Sequence, residues 1–324
     1  MKAITYTQYG TPDVLKLVET DKPIPKDGEV LVKIHAASVN ALDWHLLTAD
    51  IFLVRFGEGL FKPKRSRLGA DLAGVVEAVG SGVTQFKPGD AVYGDIEPYG
   101  SGAFAEYAAV PAKGLAPMPA TASFEEAAAL PVAALTALQG LRDVGKIAAG
   151  KRVLVNGASG GVGTYAVQIA KAFGAEVTAV CSTRNVEQAW ALGADHVIDY
   201  TKESFVHNRQ QYDVIVATAG YQPLADYKRA LKPNGVYVAT GGDMKQIFEA
   251  MLLGRLMTGG GKKLGSLLLK VNKDLDYLSE LLASGKVVPV IDRCYPLSET
   301  IAALKYYAEG RTRGKIVISV AQQP

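Results

Sequence analysis

The amino-acid sequence predicts an α/β protein made of a β-rich domain and a doubly wound parallel sheet. Three observations lead to this fold class. Short strands separated by turn residues fill the first third of the chain, a glycine-rich turn joins a strand to a helix at residues 153–173, and strands then alternate with helices. Because the last segments are expected to return to the β-rich domain, the parallel sheet is predicted to be inserted between the two parts of that domain.

In the first 122 residues, short apolar segments with turn residues between them predict strands over 2–9, 14–19, 29–36, 74–79, 91–93 and 104–110. The turns are rich in Gly, Pro and Asp, as in Phe86-Lys-Pro-Gly-Asp90. This pattern is typical of a partly open barrel. A helix is predicted from Ser123 to Ala129, with Ser123 as N-cap and Glu126 at the capping-box position. Residues 131–141 continue toward the second domain.

A glycine-rich turn is the strongest single motif of the chain. Val153 to Val155 predict a buried strand, the turn Asn-Gly-Ala-Ser-Gly-Gly-Val-Gly follows, and residues 161–173 predict a helix. Such a turn suits a diphosphate, since glycines let the backbone approach a ligand and the helix N-terminus offers unpaired N–H groups. Ala158 replaces the first glycine of G-x-G-x-x-G, so a turn without a ligand remains an alternative. A second strand over 176–181 completes a β-α-β unit and favours dinucleotide binding.

The alternation continues to the end of the chain. Strands are predicted over 196–198, 212–217, 236–239 and 264–271, and a helix over 223–231. A helix over 275–282, a strand over 287–291, a helix over 298–308 and a strand over 315–320 follow. We therefore assign residues 1–122 and 273–324 to the β-rich domain and residues 123–272 to the nucleotide-binding domain.

Composition excludes several classes of function. With 48% apolar and 21% charged residues, the 324-residue chain resembles an ordinary globular protein that is long enough for two domains. The net charge is +3 and the positive residues are scattered, so no nucleic-acid partner is expected.

Cysteine content and the N-terminal sequence bear on the cellular compartment. Cys181 and Cys294 lie far apart, which argues against a disulfide framework and favours a reducing compartment. The N-terminal residues lack the pattern of a secretory signal, and no apolar run reaches the length of a membrane span. We therefore expect a cytoplasmic protein without an integral membrane segment.

The second strand of the β-α-β unit indicates the cofactor. An NAD-binding site has a carboxylate near this point to bond the ribose, whereas this strand ends in Cys181-Ser-Thr-Arg184. Ser182 offers a hydroxyl and Arg184 a guanidinium to a 2′-phosphate, so the predicted cofactor is NADPH. A surface charge at a helix start is the alternative interpretation of Arg184.

Several motifs are distributed along nearly the whole chain. They are Gly10-Thr-Pro-Asp-Val-Leu15, Ala37-Ser-Val-Asn40-Ala-Leu-Asp43-Trp44, Leu68-Gly-Ala-Asp71-Leu-Ala-Gly74-Val-Val-Glu77, the segment Val79 to Gly94, Leu130-Pro131 through Thr136-Ala137, the glycine-rich turn, and Leu192 to Tyr200. Together they resemble the zinc-independent, quinone oxidoreductase-like (ζ-crystallin-like) branch of the medium-chain dehydrogenase/reductase superfamily. Within that branch the chain most resembles chloroplast-envelope quinone oxidoreductase-like enone reductases.

The resemblance implies a GroES-like catalytic domain, a Rossmann domain that binds NADPH, and reduction of quinones or activated C=C bonds. It also implies that Thr136 contacts the nicotinamide, although a helix residue bonded to a carbonyl one turn back is an equal alternative. Tyr200 is implied to lie at the adenine side. The full set of expected cofactor-binding residues is Ser159, Gly160, Gly161, Val162, Gly163, Ser182, Arg184, Tyr200, Thr218 and Gly241.

The same resemblance allows the zinc-ligand positions of the superfamily to be compared with the residues of this chain. A catalytic zinc takes three protein ligands from Cys, His and acidic residues, but Asn40 stands at the position of the first cysteine ligand and Ala70 at that of the histidine. We therefore expect no metal. A zinc-free site suits substrates that are already electrophilic, with hydrogen-bond donors at the developing oxyanion. Asn40 is the leading candidate for such a catalytic donor, and a turn residue that satisfies its own backbone is the alternative.

Two functions remain open at this point. The first is an NADPH-dependent reductase of quinones or α,β-unsaturated carbonyls, and the second is an NADPH-binding redox sensor or scaffold with little turnover. A homodimer is possible through the apolar segment Leu267-Leu-Leu269, as in relatives.

Overall fold

The computed structural model describes residues 1–207, 210–257 and 259–320. The strands are β1 (Lys2–Thr5), β2 (Lys16–Glu19), β3 (Glu29–Val39), β4 (Asp71–Val79), β5 (Ala91–Asp95), β6 (Tyr107–Pro111), β7 (Ala116–Pro117), β8 (Arg152–Asn156), β9 (Glu176–Cys181), β10 (His196–Asp199), β11 (Tyr212–Ala217), β12 (Leu231–Ala239), β13 (Lys263–Ser266), β14 (Ile291–Pro296) and β15 (Lys315–Ser319). The helices are α1 (Ala41–Thr48), α2 (Phe52–Glu58), α3 (Phe124–Ala128), α4 (Pro131–Gln139), α5 (Gly161–Ala172), α6 (Val186–Ala191), α7 (Leu224–Ala230), α8 (Met244–Leu253), α9 (Leu275–Ala283) and α10 (Thr300–Ala308).

The chain forms two compact units. The first contains the described parts of Met1–Val132, Val271–Ala283 and Ile291–Pro324, and the second those of Ala133–Lys270 and Ser284–Val290. The domain boundaries assigned from the sequence stay a prediction.

The first unit is organised around β3. This strand pairs antiparallel with β4, β6 and β15, and the main sheet runs in the order β14-β15-β3-β4-β5-β7. Val30, Val32 and Ile34 alternate along β3 into the core, as expected for a strand with one apolar face. Because β15 pairs with β3, the end of the chain returns to the β-rich domain as predicted.

The second unit is a six-stranded parallel sheet in the order β10-β9-β8-β11-β12-β13. Counted from β8, this is the strand order 3-2-1-4-5-6 of a doubly wound fold, so the predicted Rossmann sheet is confirmed. Val153, Leu154 and Val155 of β8 are fully buried, which explains their continuous apolar run. The strand order reverses between β8 and β11, and ligands of such sheets bind at the carboxyl ends of strands beside that point.

Several predicted strands have limits that differ from those of the structure, such as 2–9, which ends at Thr5, and in two further cases a buried glutamine lies at the site. The predicted strand 264–271 ends at Ser266, and further along the buried Gln139 amide bonds both the N–H and the carbonyl of Lys270. The predicted strand 287–291 is absent, and β14 starts only at Ile291. Here Gln168 pairs in the same way with the backbone of Val288. A glutamine side chain therefore takes the place of a neighbouring strand at both positions.

A buried ion pair joins distant segments of the first unit. Asp71 begins β4 and is fully buried, while Lys315 begins β15 and is 3% exposed. The Lys315 ammonium lies 3.6 Å from the Asp71 carboxylate and donates to the Val39 carbonyl at 3.1 Å. Since each charge is removed from water, each depends on the other for compensation.

Lys315→Met should therefore lower the free energy of unfolding by about 3–5 kcal/mol, because it leaves the Asp71 carboxylate buried without its cation. Denaturant unfolding followed by circular dichroism measures this loss. The double variant Lys315→Met/Asp71→Asn should recover part of it, since no unpaired charge then remains.

Lys305→Met is the matched control. Lys305 pairs with Asp13 at the surface, with side chains 53% and 66% exposed, so its loss should leave the unfolding midpoint nearly unchanged. Equal losses for the Lys315 and Lys305 variants would contradict a stabilising role for the buried pair.

Candidate functional site

In the first unit, Asn40 lies among buried charges. It follows β3 and precedes α1, and the Asp43 carboxylate accepts its backbone N–H at 2.9 Å. The Asn40 side-chain amide donates to Asp71 at 2.9 Å and lies 3.4 Å from the Ser38 carbonyl. Its amide oxygen accepts from Lys315 at 2.5 Å. The predicted donor is thus held between an ammonium and a carboxylate. Direct donation to a substrate, which stays a prediction, would use one of the two amide hydrogens and so replace the bond to Asp71 or the longer contact with Ser38.

Three buried carboxylates share this region with one ammonium. Asp71 and Asp95 are opposite residues of β4 and β5, and Asp43 accepts the Gly69 N–H at 2.9 Å. Burial raises the pKa of Asp43 to about 7 and that of Asp95 to about 8. Burial also raises the pKa of Asp71, against the effect of Lys315, while loss of hydration lowers the pKa of Lys315. The cluster can therefore hold protons near neutral pH.

The residues at the expected zinc position do not fit a zinc ion. Ala70 carries no donor atom, and the Asn40 amide is already bonded on both sides. The Asp71 carboxylate accepts from Ser38 at 2.8 Å and from the Val132 N–H at 3.0 Å, in addition to Asn40. Among the described residues, no group of three or more His, Cys, Asp or Glu side chains could hold a metal ion. An ammonium and its hydrogen bonds fill the region instead.

In the second unit, the glycine-rich turn fits a phosphate-bearing ligand. Gly157 has φ +87°, and a Cβ there would lie 2.5 Å from the Ala219 Cβ. A Cβ on Gly163 would lie 2.0 Å from the Gly157 carbonyl oxygen, so α5 packs directly on the end of β8. Gly160 differs, because a Cβ there would meet no atom closer than 3.7 Å. Open space therefore lies beside the first turn of α5, whose N–H groups have no partners within the helix.

Several predicted cofactor residues meet at the carboxyl edge of this sheet. The Thr218 hydroxyl, after β11, donates to the carbonyls of Asn156 and Gly157 at 3.0 Å. Gly241 packs closely on Thr218, since a Cβ would lie 2.9 Å from the Thr218 carbonyl oxygen. Ser159 and Ser182, after β8 and β9, are joined through the Asn185 amide at 2.9 and 3.2 Å.

The other predicted residues are placed as follows. Arg184 is exposed in the short 3₁₀ turn Thr183–Asn185, and Tyr200 follows β10 with its side chain 63% exposed. Thr136 is buried on α4, one turn before Gly140, and Gly140 packs against Thr240 after β12. Their contacts with a cofactor stay predictions.

Sequence reasoning missed three polar residues. Lys315 starts an apolar strand, a position where a lysine normally reaches solvent, so the sequence carried no signal of its burial. Asn185 directly follows the predicted residues Ser182 and Arg184 in the sequence. Its position at the start of a helix is the sequence feature that could have identified it. Asp199 ends β10, where it accepts from the hydroxyls of Thr183 at 2.6 Å and Thr201 at 2.7 Å.

Comparison with protein families gives two matches. Residues 26–120 match the alcohol dehydrogenase GroES-like domain, and residues 192–318 match a family described as zinc-binding dehydrogenase. The second description names a metal that the residues at Asn40, Ala70 and Asp71 do not suit.

Individual proteins are similar over nearly the whole chain. The 2-methylene-furan-3-one reductase of Solanum lycopersicum is 41% identical over 98% of this chain and 79% of its own length. The chloroplastic quinone-oxidoreductase QR1 of Triphysaria versicolor is 36% identical over 98% of both chains. Among solved structures, the quinone oxidoreductase from Coxiella burnetii has a TM-score of 0.89 at 32% identity and covers 99% of both chains.

These comparisons correct the expected localisation. QR1 is a chloroplastic protein, and further relatives are named chloroplastic or mitochondrial, so the cytoplasmic prediction is wrong. The prediction failed because a low cysteine content and the lack of secretory and membrane-spanning patterns do not distinguish the cytoplasm from an organelle. Within the described residues, the helices are too short or too polar to cross a bilayer.

Identity above 30% across almost the full length, the two matched families and the shared strand order agree with one another. The chain therefore belongs to the quinone oxidoreductase-like branch of the medium-chain dehydrogenase/reductase superfamily.

Proposed function

We propose that this oxidoreductase uses NADPH to reduce quinones or the activated C=C bond of α,β-unsaturated carbonyls, without zinc. The observation that carries the proposal is the filled polar cluster at Asn40, Asp71 and Lys315. A zinc-dependent alcohol dehydrogenase uses its metal as a Lewis acid to polarise the substrate oxygen, and the side chains of this cluster are bonded to one another and are not available as zinc ligands. A conjugated carbonyl or quinone does not need that activation, because its carbon is already electrophilic. Relatives named 2-methylene-furan-3-one reductase and quinone oxidoreductase support the same substrate classes.

The cofactor would lie along the carboxyl edge of the parallel sheet. The first-turn N–H groups of α5 would hold the diphosphate beside Gly160, and Thr218 and Gly241 would shape the adjoining backbone. Bound NADPH supplies the hydride. The protein's own task is to bind, to orient the substrate and to exclude water, and Thr136 is proposed to contact the nicotinamide.

The preference for NADPH rests on the groups after β9. Ser182 is half-buried and Arg184 is exposed, so both can meet a 2′-phosphate. The acidic residue Asp199 is turned toward Thr183 and Thr201, whose hydrogen bonds hold the pKa of this carboxyl well below its usual range. Asp199 is therefore engaged by its own neighbours instead of a ribose.

Three experiments test the proposal. The first concerns metal content. Purified protein should contain no stoichiometric zinc by elemental analysis, and dialysis against a chelator should leave its NADPH-dependent activity unchanged, because the donor set does not suit zinc. Stoichiometric zinc that is removed together with the activity would contradict the zinc-free assignment.

The second experiment tests the choice of cofactor. Arg184→Ala should weaken NADPH binding about 10- to 150-fold and leave NADH binding nearly unchanged, since a charge-assisted hydrogen bond to the 2′-phosphate is lost. Titration of protein fluorescence gives both dissociation constants. Arg229→Ala, which removes an exposed arginine paired with Asp226 on α7, is the matched control. Equal weakening of both cofactors by Arg184→Ala would refute the assignment.

The third experiment follows the hydrogens during enone reduction. With NADPH deuterated at its transferable position, deuterium should appear on the β-carbon of the product, because that carbon is the electrophile. Reaction in heavy water should label the α-carbon and leave the C=O group intact. Mass spectrometry and NMR locate both labels. Deuterium on a carbinol carbon would show carbonyl reduction instead and return the protein to the alcohol dehydrogenases.

A further inference from the structure

A buried asparagine connects the two serines that are predicted to contact the cofactor. The Asn185 amide nitrogen lies 2.9 Å from the Ser159 hydroxyl oxygen and 3.2 Å from that of Ser182. Ser159 belongs to the glycine-rich turn after β8, whereas Ser182 follows β9, the next strand of the sheet. One side chain therefore fixes two loops that are separated by more than twenty residues in the sequence.

The direction of these hydrogen bonds matters for the ligand. A serine hydroxyl has one hydrogen to donate and two lone pairs that accept. The Asn185 amide donates to both serines, so it occupies a lone pair on each oxygen and leaves each hydroxyl hydrogen available. Phosphate oxygens only accept hydrogen bonds at neutral pH. Serines held in this way are therefore oriented as donors to an anion.

The burial of the Asn185 side chain is not explained by complete hydrogen bonding of its amide group. The residue is 3% exposed, and its amide oxygen is buried without a hydrogen-bond partner among the described residues. A buried acceptor without a partner is unfavourable, and such groups are uncommon in folded proteins. Its amide nitrogen bonds the two serines, one in the glycine-rich turn that also contains Gly160 and one in the loop after β9.

We propose that Asn185 is a positioning residue that turns the hydroxyls of Ser159 and Ser182 toward the phosphates of the bound dinucleotide. This inference rests on the proposed function. Ser159 would serve the diphosphate, which NADPH and NADH share, and Ser182 would serve the 2′-phosphate, which NADH lacks. Loss of Asn185 should therefore affect both dinucleotides, and NADPH more strongly.

Equilibrium binding to the cofactor-free protein tests this assignment. Asn185→Ala should weaken NADPH about tenfold and NADH about threefold, as expected for two and one misoriented hydrogen bonds. Isothermal titration calorimetry gives both constants without turnover, and thermal melting of the free protein shows that the variant folds. Asn185→Asp should weaken NADPH further, because a carboxylate accepts from the serines and draws their hydrogens away from the ligand.

Gln168→Ala is the matched control. Gln168 is also a buried amide, but its three hydrogen bonds all go to backbone groups, namely the carbonyl of Thr164 and the N–H and carbonyl of Val288. This variant should lower the melting temperature and keep the ratio of NADPH to NADH affinity of the wild type. An equal change of that ratio in both variants would overturn the specific role of Asn185.

A double-mutant cycle separates positioning from general loss of structure. In a Ser159→Ala/Ser182→Ala background, Asn185→Ala should cause no further loss of NADPH affinity, because no hydroxyl remains to be oriented. The same fold loss in both backgrounds would overturn the proposal. If the wild type binds NADPH tightly and Asn185→Ala binds it equally well, the role of Asn185 is overturned and the proposed function is not. If the wild type binds neither dinucleotide, the proposed function is overturned as well.

Discussion

The first unit depends most on the hydrogen bonds and the ion pair that compensate the buried carboxylate of Asp71. Its oxygens accept from Ser38 on β3, from Asn40 after β3 and from the N–H of Val132 on α4, and the Lys315 ammonium of β15 lies beside it. A carboxylate removed from water is strongly unfavourable unless it is hydrogen-bonded and paired. Segments that are distant in the sequence must therefore assemble together before this charge can be accommodated.

The same requirement limits the chemistry that this region can perform. Burial raises the pKa of Asp43 to about 7 and of Asp95 to about 8, and repulsion from the neighbouring Asp71 carboxylate acts in the same direction. One ammonium therefore does not have to balance three ionised carboxylates. A divalent metal would need deprotonated ligands that point at one centre. Here the polar groups point at one another, so a change at Asn40 or Ala70 alone would not create a zinc site.

Sequence patterns predicted the parts of the fold that local chemistry decides. The strand, turn and helix from Val153 onward were correct, because apolar runs and glycines act over a few residues. The limits of β13 and β14 were wrong, and beside them Gln139 and Gln168 bond the backbone of Lys270 and Val288 through long-range contacts that no local pattern encodes. Lys315 was missed for the same reason, since the carboxylate that explains its burial lies far away in the sequence.

In the second unit, contacts within the protein fix the carboxyl edge of the parallel sheet before any ligand binds. Gly163 is pressed against the Gly157 carbonyl, Thr218 is bonded to that same carbonyl, and Gly241 is packed on Thr218, so the ends of β8, β11 and β12 cannot shift independently. Groups fixed in this way lose little conformational entropy when a ligand binds, so little of the binding free energy is lost to the ordering of loops. Asn185 extends the same constraint to β9 through two serines. Because hydride transfer depends on placing the nicotinamide accurately, a rigid edge at the proposed cofactor site would contribute to catalysis even though its residues do no chemistry themselves.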